Sequence, residues 1–241
     1  MATACSSPSW RSPGSAISAA PTTQGSPTVF DALGIVVGLE TEARIARRLG
    51  GRVEVGGGDE TGAAAACARL IASGVRTLVS FGLAGGLHPS LRPGTLVIPD
   101  VVLSHDGHWP THPPLAARLG QMGGALYSGG AVVATAAEKQ ALFTRTGAVA
   151  VDLESAAVAA AAARHALPFA VLRAICDPAS RSLPQAALVA LDPTNGTVDI
   201  RAVLRETLQH PADIAALVLL GTDAARARRA LSRRVKQIAA A

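Results

Sequence analysis

The chain has 241 residues carrying 22 Lys and Arg against 17 Asp and Glu, a net charge of +5, and aromatic residues make up only 3%. After Gly221, the basic residues Arg226, Arg228, Arg229, Arg233, Arg234 and Lys236 face Asp223 alone, so the whole excess lies at the C-terminus, which excludes the basic, aromatic-studded face of a nucleic-acid binder. A hydrophobic share of 49% with 16% charged residues excludes a largely disordered chain, and the length suits one α/β domain with a sizeable core.

Residues 1–28 are rich in Ser, Pro, Thr and Ala and lack the apolar stretch of a signal peptide, so they read as a disordered leader before a domain at 29–241. Leu33–Gly38 is an apolar run expected as a buried first strand. Glu42–Leu49 follows as a helix and Arg52–Val55 as a second strand. Gly56-Gly57-Gly58 turns the chain into an Ala-rich helix, Glu60–Ser73. Val75–Phe81 reads as a third strand, broken by Gly82-Leu83-Ala84-Gly85-Gly86, and Thr95–Leu103 as another, interrupted by Pro99. Residues 104–130 hold many Pro, His and Gly and read as a long irregular region that forms part of a site. Ala131–Thr135 and Ala148–Val151 are expected as short strands, Glu154–His165 as a tightly packed Ala helix, and Pro168–Ile175 as the last strand. From Asp199 onward the chain reads as helical, ending in a basic helix over 212–238. Strands alternating with helices predict an α/β fold: a single three-layer domain with a mixed, mainly parallel central sheet flanked by helices.

In such a sheet, ligands collect at the carboxyl ends of strands. Four stretches stand there: Gly38–Glu42, Gly56–Asp59, Gly82–Gly86, and Val151–Glu154 together with Arg173–Asp177. Gly57 and Gly58 either present backbone N–H groups to a phosphate or make a turn that Asp59 caps. Gly82–Gly86 lets a ligand approach the backbone closely, but it is not G-x-G-x-x-G, so a dinucleotide is not expected. Asp177 ends an apolar strand, where Ile175, Cys176 and Pro178 would desolvate its carboxyl group and raise its pKa, as a general acid requires. The spacing equally allows a turn or cap role for Asp177. Cys5, Cys67 and Cys176 form no C-x-x-C pair and suit a reducing cytoplasm without disulfides or zinc.

Taken together, GIVVGLETEA at 34–43, SFGLAGGL at 80–87, VAVDLESAAVA at 149–159 and PFAVLRAICDPA at 168–179 resemble the nucleoside phosphorylase/nucleosidase superfamily, which cleaves the N-ribosyl bond of purine nucleosides. The resemblance implies that Glu154 holds the ribose 2′- and 3′-hydroxyls and that Asp177 protonates or hydrogen-bonds the leaving purine near N7. It implies further that Glu42 orients an attacking water in the nucleosidase branch. Gly82, Leu83, Ala84 and Gly85 would border the ribosyl and nucleophile site, with Leu153 under the sugar and Asp152 beside it. Gly57, Gly58 and Arg44 are the candidates for a phosphate. Leu83 stands where the family often has Ser or Thr, and Cys176 where Ser is common. The base-stacking aromatic falls at Val132 or Val133, which leaves Phe81, Trp109 or Tyr127 to stack. Ala174–Ala179, followed by Leu183–Asp192, is similar to the hopanoid-associated phosphorylases, which implies adenine release from adenosylhopane by phosphorolysis. A hydrolytic nucleosidase of the methylthioadenosine/adenosylhomocysteine type is the alternative, and a non-catalytic nucleoside-binding or membrane-associated scaffold is the alternative of another class.

The resemblance implies no cofactor beyond inorganic phosphate as co-substrate, no metal, and a homo-oligomer. His105, His108 and His112 have metal-like spacing, but Trp109 and the prolines around them interrupt any helix that would align them, so they read as loop histidines. Leu217, Leu220, Ala224, Ala227, Leu231 and Val235 recur at steps of three and four, giving an apolar stripe opposite the C-terminal Arg cluster. That helix either packs on the body with a solvated basic face or touches anionic lipid. The expected location is cytoplasmic, with peripheral contact at the inner membrane as the sharper form. No nucleic acid is expected as a partner.

Overall fold

The structure, a computed structural model, describes residues 32–121, 123–184, 187, 191–192, 197–198 and 214–240. The expected leader and residues 199–213 of the expected helical end lie outside the described residues.

The chain opens with β1 (Leu33–Val37), whose five residues are all buried. It continues through α1 (Glu40–Ala46), a single 3₁₀ turn (Arg47–Leu49), β2 (Arg52–Val55), α2 (Glu60–Ala72) and β3 (Thr77–Gly86). Next come β4 (Leu96–Val97), β5 (Val101–Leu103), β6 (His108–Pro110), α3 (Pro113–Leu119), β7 (Ala125–Ser128) and α4 (Ala136–Thr146). The second half holds β8 (Ala150–Asp152), α5 (Ser155–Arg164) and β9 (Phe169–Asp177), the short hairpin β10 (Leu191–Asp192) and β11 (Thr197–Val198), and α6 (Ile214–Ala239).

Nine strands form one mixed sheet in the order β2-β1-β3-β8-β7-β5-β6, with β9 paired to β3 and β4. The β2–β1, β1–β3, β3–β9, β8–β7 and β7–β5 pairs are parallel, whereas β3–β8, β9–β4 and β5–β6 are antiparallel. Alternation along the strands divides the core into two layers. Val36, Leu78 and Val171 face one layer with the Ala-rich sides of α2 and α5. Ile35, Val37, Val79, Phe81, Ala170 and Leu172 face the other, with α1, α3 and α6. Small side chains let these helices sit close to the sheet. The expected single-domain, three-layer α/β fold is the one observed.

Several local expectations are corrected. The third strand does not break at Gly82. It runs on to Gly86, pairing with β9 and then β8 through a bulge between Ala84 and Gly85, because partners on both sides satisfy the glycine backbone. Pro99 divides the expected Thr95–Leu103 strand into β4 and β5, which pair with different neighbours. Residues 104–130 are not one irregular region: they contain β6, α3 and β7, and His112 accepts a hydrogen bond from the Leu115 N–H at the start of α3. Ala131–Thr135 is not a strand, and the helix that follows it was not anticipated. Its signal is the pair Thr135 and Glu138, a reciprocal capping box at the start of α4.

Candidate active site

The carboxyl ends of β1, β3, β8 and β9 meet at one cavity of about 470 Å³, within the range of small-molecule sites. Gly38, Glu42, Leu83, Ala84, Gly85, Asp152, Leu153, Glu154, Arg173 and Asp177 line it. Thus three of the four candidate stretches each contribute several residues, although Gly82 itself does not line the cavity, and the Gly56–Asp59 stretch contributes Gly58 alone. Gly57 and Gly58 take left-handed φ values of +86° and +87°, and Asp59 accepts the Gly62 N–H at 2.7 Å as the cap of α2. The turn-and-cap arrangement is therefore present. Arg44 is exposed on α1 and does not line the cavity, because its position on the helix turns it away from the sheet.

Glu42 sits in the first turn of α1, and its carboxylate accepts three backbone N–H groups. Oε2 takes those of Gly38 (3.1 Å) and Leu39 (3.0 Å), and Oε1 takes that of Leu83 (2.9 Å). The β1–α1 and β3 backbones are thereby tied to one side chain. Burial pushes its pKa up against the opposing pull of Arg173 and these donors.

Arg173, midway along β9, was assigned no role by sequence reasoning, yet it is the electrostatic centre of this half of the site. Its fully buried guanidinium contacts Asp152 Oδ2 at 2.7 Å and Glu154 Oε2 at 3.2 Å, and donates to Ser80 Oγ at 2.7 Å. The available signal was a lone Arg inside an apolar strand, a residue almost never fully buried unless paired. Gly82 makes room for it. A Cβ there would lie 2.6 Å from Arg173 Nη1 and 2.8 Å from Glu42 Oε1. Asp152 is a structural partner as much as a cavity wall, since it also binds Ser155 Oγ and the Ser155 N–H at the start of α5.

Glu154 is buried, with Oε1 lacking a hydrogen-bond partner among the described residues. Burial raises its pKa to about 7, ahead of the lowering pull of Arg173. Gly38 is what lets the carboxylate reach the cavity, because a Cβ at Gly38 would lie 3.1 Å from both of its oxygens.

Asp177 closes β9. Burial raises its pKa, opposed first by Lys139. Its Oδ2 is bound by Lys139 Nζ at 2.5 Å, whereas Oδ1 has no partner among the described residues. Lys139 lies in the first turn of α4 and belongs to the helix that sequence reasoning did not find. Cys176 faces the same cavity, but burial pushes its thiol up to about 12, and its Sγ–H donates to Ala84 O at 3.6 Å. A thiol of that pKa is not an activated nucleophile.

None of the aromatic candidates lines the cavity. Phe81 is buried in the core, and Trp109 and Tyr127 pack against other parts of it. Val132 and Val133 occupy that wall, and Leu217, Leu220, Gly221 and Ala224 of α6 add another apolar wall. The three loop histidines sit elsewhere. His105 pairs with Asp106 at 2.9 Å, His108 lies on β6, and His112 caps α3.

The sequence pattern of the phosphorylase superfamily matches residues 53–123 and 115–215, two overlapping segments that together cover most of the chain. The chain belongs to the phosphorylase superfamily. No curated protein matches it. Among solved structures, this superfamily member is similar to the 5′-methylthioadenosine/S-adenosylhomocysteine nucleosidase of Neisseria meningitidis in complex with methylthio-immucillin-A, at 20% identity and TM-score 0.61 over 85% of this chain and 98% of that one. It is also similar to a futalosine hydrolase mutant of Helicobacter pylori strain 26695, at 18% identity and TM-score 0.60 over 85% and 98%. The nucleosidase of Colwellia psychrerythraea 34H in complex with adenine matches at 21% identity and TM-score 0.58 over 72% and 94%. These likenesses bear on the fold, which they share.

Proposed function

We propose that the protein cleaves the N-ribosyl bond of an adenine nucleoside and releases adenine. The observation that carries this reading is a pair of buried carboxyl groups, Glu154 and Asp177, each with one oxygen unpartnered among the described residues and both lining the same cavity. Leaving such atoms unsatisfied is costly, and a nucleoside supplies what each lacks. The ribose diol donates to Glu154 Oε1. The purine N7 takes a proton from Asp177 Oδ1. Breaking C1′–N9 builds positive charge on the sugar and negative charge on the base, which the Glu154 carboxylate and the Asp177 proton respectively offset. The similar methylthioadenosine/adenosylhomocysteine nucleosidases, one of them in complex with adenine, support the substrate class.

Water is the nucleophile this site favours. Glu42, Asp152 and Glu154 surround Arg173 on the sugar side, and Asp152 and Glu154 engage its guanidinium, so among the described residues a phosphate dianion finds no unpaired cation there. Glu42, with its pKa raised by burial, accepts the proton of water as the O–C1′ bond forms. Phosphorolysis remains the second reading because Arg228 of α6 also lines the cavity and makes no ion pair among the described residues. The apolar wall from α6 and Val132–Val133 favours a nucleoside with a large apolar 5′ substituent, and adenosylhopane is the substrate of that kind to which the sequence resemblance points. Adenine release from adenosylhopane and from methylthioadenosine, each with and without phosphate, tests all of this. Turnover that is independent of phosphate supports hydrolysis, and strict dependence on phosphate overturns it.

The same helix favours peripheral contact with anionic lipid. Arg226, Arg229, Arg233 and Lys236 form an exposed stripe on α6, and Ile214, Val218 and Leu219 are exposed in its first turns. Sedimentation with anionic vesicles at two salt concentrations checks it, and binding insensitive to salt or absent at low salt contradicts it. No described helix is long and apolar enough to cross a membrane.

A further inference from the structure

Lys139 is fully buried, and the cleavage chemistry above gives it no task. The Thr135–Glu138 capping box fixes the start of α4 and aims the residue inward. Its three ammonium protons are all used: Nζ donates to Asp177 Oδ2, to Pro178 O at 3.2 Å and to Arg181 O at 2.7 Å. A side chain so engaged is no nucleophile or base. It grips one oxygen of Asp177, a residue that lines the cavity, and leaves Oδ1 without a protein partner among the described residues.

We propose that Lys139 is a positioning residue of the reaction, holding Asp177 by Oδ2 so that Oδ1 meets the departing base, and stabilising the carboxylate formed there. The inference rests on the cleavage reading above. In the step itself the C1′–N9 electron pair leaves with adenine, the Asp177 Oδ1–H bond breaks and the N7–H bond forms. Lys139 keeps all its protons and ends as the counter-ion of the new carboxylate. Charge-assisted contact with a carboxylate is stronger than contact with the neutral acid, so the ammonium favours the state after transfer.

The charges facing Asp177 come from three elements. Lys139 on α4 and Arg181 after β9 favour the ionised form, and Asp223 on α6 opposes it. Asp223 is itself bound to Arg181 at 2.7 Å and to Arg226 at 3.0 Å, which blunts its effect. Cys176, the preceding residue, stays a protonated thiol. Removing the ammonium therefore leaves Asp177 a weaker acid that holds its proton to higher pH.

The test compares wild type, Lys139→Met, Lys139→Arg, Asp177→Asn and the Lys139→Met/Asp177→Asn double variant in adenine release from the nucleoside that wild type cleaves. We expect Lys139→Met to lower kcat at least 10-fold with KM within twofold, and to move the alkaline limb of the kcat profile to higher pH. Lys139→Arg, which keeps the charge, should hold the limb near its wild-type place. The double variant should match the residual rate of Asp177→Asn, because Lys139 acts through Asp177. A merely structural lysine would lower the melting temperature without moving the limb. A folded Lys139→Met with wild-type kcat and limb overturns the inference. So does a double variant slower than Asp177→Asn by the factor Lys139→Met shows in wild type. If Lys139→Met does not fold, the double variant, which removes both charges, and Lys139→Arg decide: a further loss in the double, or a shifted limb in Lys139→Arg, contradicts the inference. An Asp177→Asn enzyme at full rate would instead overturn the cleavage reading itself.

Discussion

At the scale of single residues, the site is a set of buried charges that the backbone alone makes room for. Gly82 is the tightest of these points. Gly82→Ala places a methyl group 2.6 Å from Arg173 Nη1 and 2.8 Å from Glu42 Oε1, so the guanidinium and the carboxylate must both shift. Overpacking of this kind costs about 1–3 kcal/mol of stability, and we expect kcat to fall at least about 100-fold, since displacements near 1 Å cost that much. Denaturant unfolding and steady-state assays check the two parts separately. Glu154 gives a pH prediction whose sign follows from its raised pKa, about 7 against an ordinary 4.5. Between those values the folded protein holds a proton that the unfolded chain has lost, so stability from this group is present at low pH and is lost as pH rises through the window. Glu154→Gln should remove that slope in a melting-temperature series from pH 5 to 8. Binding runs the other way. In the proposed role the ionised carboxylate accepts from the ribose diol, so nucleoside affinity should rise with pH through 7 in wild type and stay flat in the Gln variant. Glu42, Glu154 and Asp177 were legible in the sequence because an acidic residue at the end of an apolar strand stands out against its surroundings. Arg173 and Lys139 were not. Their partners come from other strands and helices, and only the fold shows that an Arg inside β9 and a Lys in α4 are inward-facing.

At the scale of elements, α6 ties the site to the rest of the domain. Leu231 and Val235 are fully buried against β9, β3 and α1, while Leu217, Leu220 and Ala224 on the same helix wall the cavity. Leu231→Ala should therefore cost about 2–5 kcal/mol in denaturant unfolding. Leu220→Ser, at the cavity wall, should instead raise KM for a nucleoside with a large apolar 5′ group more than for adenosine. Equal effects on both substrates would place the apolar group elsewhere. The buried strands were readable from runs such as LGIVV and FAVLRAICD, and the Ala-rich helices from their composition. The Gly82–Gly86 stretch misled because glycine is an intrinsically poor strand former, and pairing on both flanks overrides that preference. Helix α4 was missed because its start follows a stretch read as a strand, although its capping box was present in the sequence.

At the scale of the whole molecule, the charge that first marks the sequence has little to do with the cavity. The exposed Arg226, Arg229, Arg233 and Lys236 ride on the outside of α6, and the neutral body gathers its acids around Arg173 and Lys139. Of the C-terminal basic residues, Arg228 alone lines the cavity. The fold class was legible from the alternation of strands and helices, whereas the division of the sheet into parallel and antiparallel parts was not, since it depends on which strands meet after the chain has folded. The proposed cleavage rests on two carboxyl groups lining one cavity, and one measurement addresses it most directly. Purified wild type and Asp177→Asn are compared for adenine release from an adenine nucleoside at saturating substrate. The account predicts release by wild type and a kcat lower by about 10²–10⁴ in the variant, with binding retained. Release at the wild-type rate by Asp177→Asn, or no release of adenine by wild type from any adenine nucleoside, would contradict it.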